Sequence, residues 1–261
     1  MVRLEDLDAV PGTVSVWFGR PGGPPSYERQ ADAPHCAASL MKLAVLVALH
    51  RRGGLETEIP VVNRFDSVIA GRRPYGLKRR HDNDPAVWDR LGGTATLGWL
   101  AGRMIVRSSN LAANLILREV GIDAADAVWR GVGATGSTIR RAFADTAAEE
   151  AGISNTVTAA DTARLLGQLA HDDALLAPLL AQERTEDLAA GLPPGTRVAH
   201  KNGWIRGVRH AAGIVFPDDA PPFVLAVCLT TPLAVNDPDD GACRLVRRIA
   251  AAAWAERRAV R

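Results

Sequence analysis

The sequence predicts an α+β fold, an α/β sandwich in which an antiparallel sheet is flanked by terminal helices and carries an all-helical inserted lobe. Three observations predict it. Strand-like segments stand near both ends of the chain, at 13–18 and 26–30 and again at 197–201, 212–216 and 223–229. Between about 95 and 190 the spacing of apolar residues is helical. Two more helical stretches, 39–52 and 241–258, flank the strand segments. The expected division is a sheet domain from 1–55 and 191–261, with a mainly helical domain inserted at 56–190.

The first two strands, TVSVWF and SYERQ, are separated by a run rich in glycine and proline from Gly19 to Pro25. The stretch 39–52 is apolar nearly all round and ends in His50, Arg51 and Arg52 before Gly53 and Gly54. That pattern reads as a buried helix with cations at its negative end. In the middle, 97–106, 111–120, 159–170 and 175–181 read as helices, with Thr158 and Asp161 available as caps. Pro217, Asp218 and Asp219 separate the last two strands, as in an antiparallel meander. Leu245, Ile249, Ala252 and Trp254 mark the apolar face of the closing helix.

Composition excludes several classes of function. With 261 residues, 47% of them hydrophobic, and a net charge of +2, the chain can bury a large core and is not intrinsically disordered. The near-zero net charge leaves no electrostatic footprint for nucleic acid, and 5% aromatics leave few stacking platforms for single strands. Cys36, Cys228 and Cys243 are too scattered for a disulfide framework or a zinc site, and the histidines have no metal-ligand spacing. No metal and no cofactor is implied. Glu5, Asp6 and Asp8 stand where a signal peptide needs an apolar core, and the apolar run 43–49 is far short of a membrane span. The expectation is a cytoplasmic protein that contacts neither membrane nor nucleic acid, or a secreted one if a leader has been removed. The partner expected is a small-molecule substrate; nothing in the chain speaks to oligomeric state.

Three short motifs carry chemistry. In Ser39-Leu40-Met41-Lys42 the hydroxyl and the ammonium are three residues apart, on one face of a helix. Ser39 would sit at the helix N-terminus, where backbone N–H groups favour an oxyanion, and a desolvated Lys42 can act as a base. The plainer alternative is an N-cap serine with a solvent-facing lysine. In Arg107-Ser108-Ser109-Asn110 a hydroxyl precedes an amide by two residues, a pair able to pass a proton and hold a carbonyl. Its plainer reading is a serine capping the next helix. In His200-Lys201-Asn202-Gly203-Trp204 a compact positive charge stands next to a glycine that allows close backbone approach. Its plainer reading is a strand end with a snorkelling lysine.

Taken together and in this order, the motifs resemble the S-x-x-K, S-D-N and K-T-G signatures of class A serine β-lactamases and related penicillin-binding proteins. The resemblance covers roughly 14–254, including the segments 104–114 and 195–215. It implies the same fold and a serine hydrolase that forms an acyl-enzyme with an amide, ester or β-lactam. Carried over, Ser39 is the nucleophile, Lys42 its base or relay, and Ser108 the proton shuttle to the leaving nitrogen. Asn110 binds a side-chain amide, Lys201 a carboxylate, and the N–H groups of Ser39 and Trp204 form the oxyanion hole. Gly203 and Asn202 line the substrate, and Arg209 or His210 adds a carboxylate contact.

Three departures stand out. Ser109 replaces the aspartate of the second motif, and Asn202 replaces the hydroxyl residue of the third. The family's water-activating glutamate has no counterpart in the run from Arg140 to Asn155, where Asp145 and Glu149 (with Glu150 beside it) are the candidate substitutes for deacylation. The alternatives are therefore a cytoplasmic transacylase or peptidase with an acceptor other than water, and a ligand-binding relative without turnover. The lysines favour retained acylation chemistry. Against 28 arginines the chain has three lysines, and two of them, Lys42 and Lys201, occupy motif positions where a guanidinium would not serve. Lys78 reads as a surface charge.

Overall fold

Val14, Val16 and Phe18 alternate with Ser15 and Trp17 along strand β1 (Thr13–Gly19), and this period of two sets the two faces of a sheet. The computed structural model describes residues 7–260. They divide into two compact units: one takes the described residues up to Leu40, Val132–Ser137 and those from Thr156 on; the other takes Met41–Gly131 and Thr138–Asn155.

In the first unit β1 joins β2 (Pro25–Arg29), β7 (Arg197–Ile205), β8 (Val208–Phe216) and β9 (Phe223–Thr230) in an antiparallel sheet of order β2-β1-β9-β8-β7. Helix α9 (Gly241–Ala255) covers one face: its Leu245, Val246 and Ile249 share a core with Val16, Val227, Ala211 and Val215. Each fully buried aliphatic side chain there contributes about 1.5–3 kcal/mol. Helices α7 (Ala159–Leu169) and α8 (Asp173–Leu180) belong to the same unit; α7 packs on β1, β8 and β9, and α8 on β7. Thr158 caps α7, accepting a bond from Asp161 N at 3.0 Å. A small ladder pairs β3 (His35–Cys36) with β6 (Thr156–Val157).

In the second unit α1 (Lys42–Arg52) is buried from Lys42 to Leu49, as its uniformly apolar sequence predicts. It packs against α3 (Leu97–Val106), α4 (Asn110–Val120) and α5 (Ile122–Gly131). Two short helices, α2 (Pro85–Trp88) and α6 (Thr146–Glu150), and a ladder of β4 (Glu58–Pro60) with β5 (Thr94–Thr96) complete it.

The sequence patterns and the structure differ in three places. The expected helix 39–52 begins instead as a 3₁₀ turn, Ala38–Met41, because Ala38 takes a left-handed φ of 43° and Leu40 N bonds to Ala37 O at 3.0 Å. Strands β7 and β8 run to a two-residue turn at Arg206-Gly207, where Gly207 supplies φ of 83°. The ladders β3–β6 and β4–β5 are too short to display a period. Among the described residues no helix is long and apolar enough to cross a membrane, and no cluster of His, Cys, Asp and Glu is arranged to hold a metal ion. Glu5 and Asp6 of the N-terminal reading lie outside the described residues.

Candidate active site

The unit boundary falls inside the first motif, so its two halves are described with their own neighbours. Lys42 opens α1 and is fully buried, which removes the solvent-facing alternative. Its Nζ donates to Ser108 O at 2.8 Å, Ser108 Oγ at 3.2 Å and Asn110 Oδ1 at 2.8 Å. It also lies 4.6 Å from the centre of the Phe143 ring. One ammonium thus gathers both polar members of the second motif. Helix capping is done by the neighbour: Ser109 Oγ accepts from Ala112 N at 3.1 Å, and Asp82 accepts from Leu111 N at 2.8 Å. The cap is Ser109 and not Ser108, whose carbonyl and hydroxyl, at a φ of 59°, meet Lys42. For a non-glycine residue that conformation costs on the order of 1–3 kcal/mol and persists only where the surroundings hold it. Asn110 Nδ2 donates to His81 O at 3.3 Å, which leaves its Oδ1 for Lys42.

Ser39 lies in the 3₁₀ turn, and the N-cap of α1 is Met41 with no side-chain cap bond, so Ser39 is not a helix cap. Its backbone backs onto Gly203 of β7. A Cβ at 203 would stand 2.7 Å from Ser39 N and 3.2 Å from Ala38 Cβ, so only glycine fits. Lys201, on the same face of β7 as Gly203, is fully buried and donates to Asn202 O at 2.9 Å. Burial lowers its pKa to about 7, opposed by the charge of Asp187 and reinforced by Arg184.

The remaining residues of the third motif turn the other way. His200, Asn202, Trp204 and Arg209 share the face on which Ala211 and Val215 join the α9 core. Buried Asn202, expected to line the substrate, donates from Nδ2 to Arg184 O and to Asp187 Oδ2, both at 3.2 Å. Arg209, 1% exposed, donates to Asp237 O at 2.9 Å and lies 3.6 Å from Asp187 and 3.9 Å from Asp240. Trp204 is half-buried, with the guanidinium carbons of Arg184 and Arg209 5.6 and 5.7 Å from its ring centre. His210 is on the Ser39 side, but its ring bonds Cys36 O and Leu229 N. Both side chains expected to add a carboxylate contact, Arg209 and His210, are buried and bonded within the unit.

A model of the β-lactamase enzyme family matches residues 3–256. The chain belongs to that family. It is 33% identical over 226 residues to a β-lactamase of Streptomyces fradiae, a match covering 80% of this chain and 71% of the relative. With a β-lactamase of Streptomyces lavendulae it is 32% identical over 164 residues, 57% of this chain and 53% of that one. Among solved structures, PBP-A matches with a TM-score of 0.75 at 22% identity, over 94% of this chain and 90% of the other. A β-lactamase from Xanthomonas campestris matches with 0.74 at 20% identity, over 97% and 94%. These two structural likenesses concern the fold, and they agree with the α+β architecture expected from sequence. This member of the β-lactamase family is a β-lactamase-like serine hydrolase.

The two candidate deacylation carboxylates are placed differently. Asp145 is 1% exposed and caps α6; it accepts from Ser67 Oγ at 2.8 Å, Val68 N at 2.9 Å and Ala148 N at 3.2 Å. Glu149 is largely exposed and pairs with Arg141 at 3.4 Å. The residue that reaches Lys42 from this stretch is Phe143, gripped by Asn114 through bonds of 2.9 Å to its carbonyl and 2.8 Å from its N–H. Sequence reasoning missed Phe143, Asp82 and Asp187. A lone aromatic in a stretch of alanine and arginine was the only signal for the first, and the two aspartates had none.

Proposed function

We propose that Ser39 attacks the carbonyl of a small amide, ester or β-lactam that carries a carboxylate, and forms an acyl-enzyme. The bond from Ser39 Oγ to the carbonyl carbon forms as the bond to the leaving nitrogen or oxygen breaks. The proton leaves Ser39 through Lys42 and reaches the leaving atom through Ser108 Oγ. The backbone N–H groups of Ser39 and Trp204 hold the oxyanion, Asn110 takes the substrate's side-chain amide, and Lys201 takes its carboxylate. The observation that carries this reading is Lys42: a wholly buried ammonium bonded to Ser108 O, Ser108 Oγ and Asn110 Oδ1 links the first two motifs. The likeness to a variant of PBP-A whose structure is an acyl-enzyme complex with penicillin G supports it, at 21% identity and a TM-score of 0.77.

A second reading, transfer of the acyl group to an amine or alcohol, is favoured by the Arg140–Asn155 stretch. Asp145 is engaged by three donors, Glu149 faces solvent, and an aromatic ring covers Lys42, so neither candidate carboxylate is held ready for water. Intact mass after incubation with a penicillin and with an activated ester tests both readings. A covalent increase in the wild type that is absent from Ser39→Ala is expected. An adduct that decays alone identifies water as acceptor; one that persists until an amine or alcohol is added identifies transfer. No adduct with either donor rejects acylation.

A further inference from the structure

The register of the sheet sets four residues in one row across four strands. Ser15 of β1 pairs with Cys228 of β9, Cys228 with His210 of β8, and His210 with Gly203 of β7. None of the four belongs to the core under α9. The segment 35–39 is laid along this row. His35 bonds Ser15 Oγ through Nε2 at 2.9 Å and Thr230 Oγ1 through Nδ1 at 2.7 Å. The carbonyl of Cys36 meets His210 Nε2 at 2.8 Å. The backbone N of Ser39 meets Gly203, where there is no room for a side chain.

The donors in this network can be assigned by elimination. Leu229 N–H donates to His210 Nδ1 at 3.2 Å, so Nδ1 carries no proton and Nε2–H donates to Cys36 O. The hydroxyl proton of Ser15 goes to Gln30 O at 2.6 Å, so Ser15 Oγ accepts from His35 Nε2–H; with the buried His35 ring neutral, its Nδ1 accepts from the hydroxyl of Thr230. Both rings are neutral and packed edge to face, with centres 5.5 Å apart. Burial agrees with this, lowering the pKa of each to about 4.

We propose that His210, seconded by His35, is a positioning residue for Ser39: its Nε2–H holds the Cys36 carbonyl, and this fixes the turn that sets the Ser39 amide against Gly203. The inference rests on the acylation reading above and adds a residue to it that touches no substrate. Geometry makes the effect kinetic. A nucleophile displaced by about 1 Å can lose on the order of 10²-fold in rate while substrate contacts made elsewhere are kept.

Two isosteres separate the two ring nitrogens. In His210→Gln the amide nitrogen stands near the position of Nε2 and can still donate to Cys36 O. In His210→Asn the side chain reaches only the position of Nδ1, so the Cys36 carbonyl loses its donor. The expected result is a fall of about 10- to 100-fold in the acylation rate constant of His210→Asn, with non-covalent substrate affinity within about twofold of wild type, and recovery to within about threefold in His210→Gln. Amide hydrogen exchange at Leu40, whose N–H closes the turn onto Ala37 O, is expected to speed up in the Asn variant and not in the Gln variant. Wild-type acylation rates in His210→Asn, or equal losses in both variants, overturn the proposal. If the wild type forms no adduct with any donor, the acylation reading is what fails. Exchange at Leu40 then decides the proposal alone: faster exchange confined to the Asn variant keeps it, and unchanged exchange rejects it.

Discussion

Along β7, Lys201 and Gly203 point to the side where Ser39 lies, whereas His200, Asn202 and Trp204 point to the side of Asp187, Arg184 and Arg209. Both sides are buried and both are polar, so burial alone does not separate function from stability. The Ser39 side holds Lys201, Gly203 and the neutral rings of His35 and His210; Gly203 and His210 meet backbone groups of the 35–39 segment. The other side is a charged network: Arg209 faces Asp187, Asp240 and Glu186 within 3.9 Å, and Asn202 bonds Asp187 as well. Within that network Arg209 Nε and Nη2 and Asn202 Oδ1 make no hydrogen bond. A buried network of this kind is costly to break and gains little by its presence. The lesson is that adjacent residues of one motif can serve different ends, because a strand turns each successive side chain to the opposite face.

The largest expected effect is on the Ser39 side. Gly203→Val places a Cβ 2.7 Å from Ser39 N, and the turn must shift; acylation is expected to fall by more than about 100-fold, with a lowered thermal midpoint from the backbone clash. Stopped-flow acylation beside a melting curve checks this, and a valine variant with wild-type rates would remove Gly203 from the site. Across the strand, Arg209→Met strands Asp187 and Asp240 without their cation and is expected to cost about 3–5 kcal/mol in denaturant unfolding. A loss under 1 kcal/mol, by the same scale, would show that the network is not what holds this face.

The next effect is one of pH. Burial holds the Lys201 pKa at about 7, far below its ordinary value, so its ammonium is lost as pH rises through that point. KM for a carboxylate-bearing substrate is expected to climb about tenfold per unit above pH 7, and KM for a neutral ester to stay flat. The same shift bears on stability with the opposite sign. Above about pH 7 the unfolded chain binds more protons at this lysine than the folded one, so its contribution to stability rises with pH until the unfolded group also deprotonates. Parallel KM profiles for the two substrates would exclude Lys201 as the carboxylate partner. The smallest effect is expected from Asn202→Thr, which loses bonds to Arg184 O and Asp187: about 1 kcal/mol of stability and no change in KM. A raised KM in that variant would return Asn202 to the substrate side and break the comparison.

Much of the architecture was legible. The alternation Val14, Val16, Phe18 marked a strand, the uninterrupted apolar run after Lys42 a buried helix, and Thr158 a cap. The small ladder of His35 and Cys36 with Thr156 and Val157 was not, because two residues carry no period and their partners lie more than a hundred positions away. At the site, Lys42 and Ser108 were legible as residue types at characteristic spacings. Phe143 was not, since nothing local marks a ring that lies over an ammonium a hundred residues earlier.

By itself the sequence determined which reactive groups this protein owns and which strands and helices carry them: residue identity and short-range periodicity are local properties. The alternation of faces along a strand is local too, yet Lys201, Asn202 and Gly203 read as one group on the substrate side. Only the tertiary structure decided which side of that alternation faces Ser39, that Ser39 sits in a turn and not at a helix cap, and that Arg209 and His210 are bonded inside the fold. The reason is physical. Each of those outcomes depends on contacts between segments far apart in the chain, and such contacts are set by how whole layers pack, which no local pattern of residue types encodes.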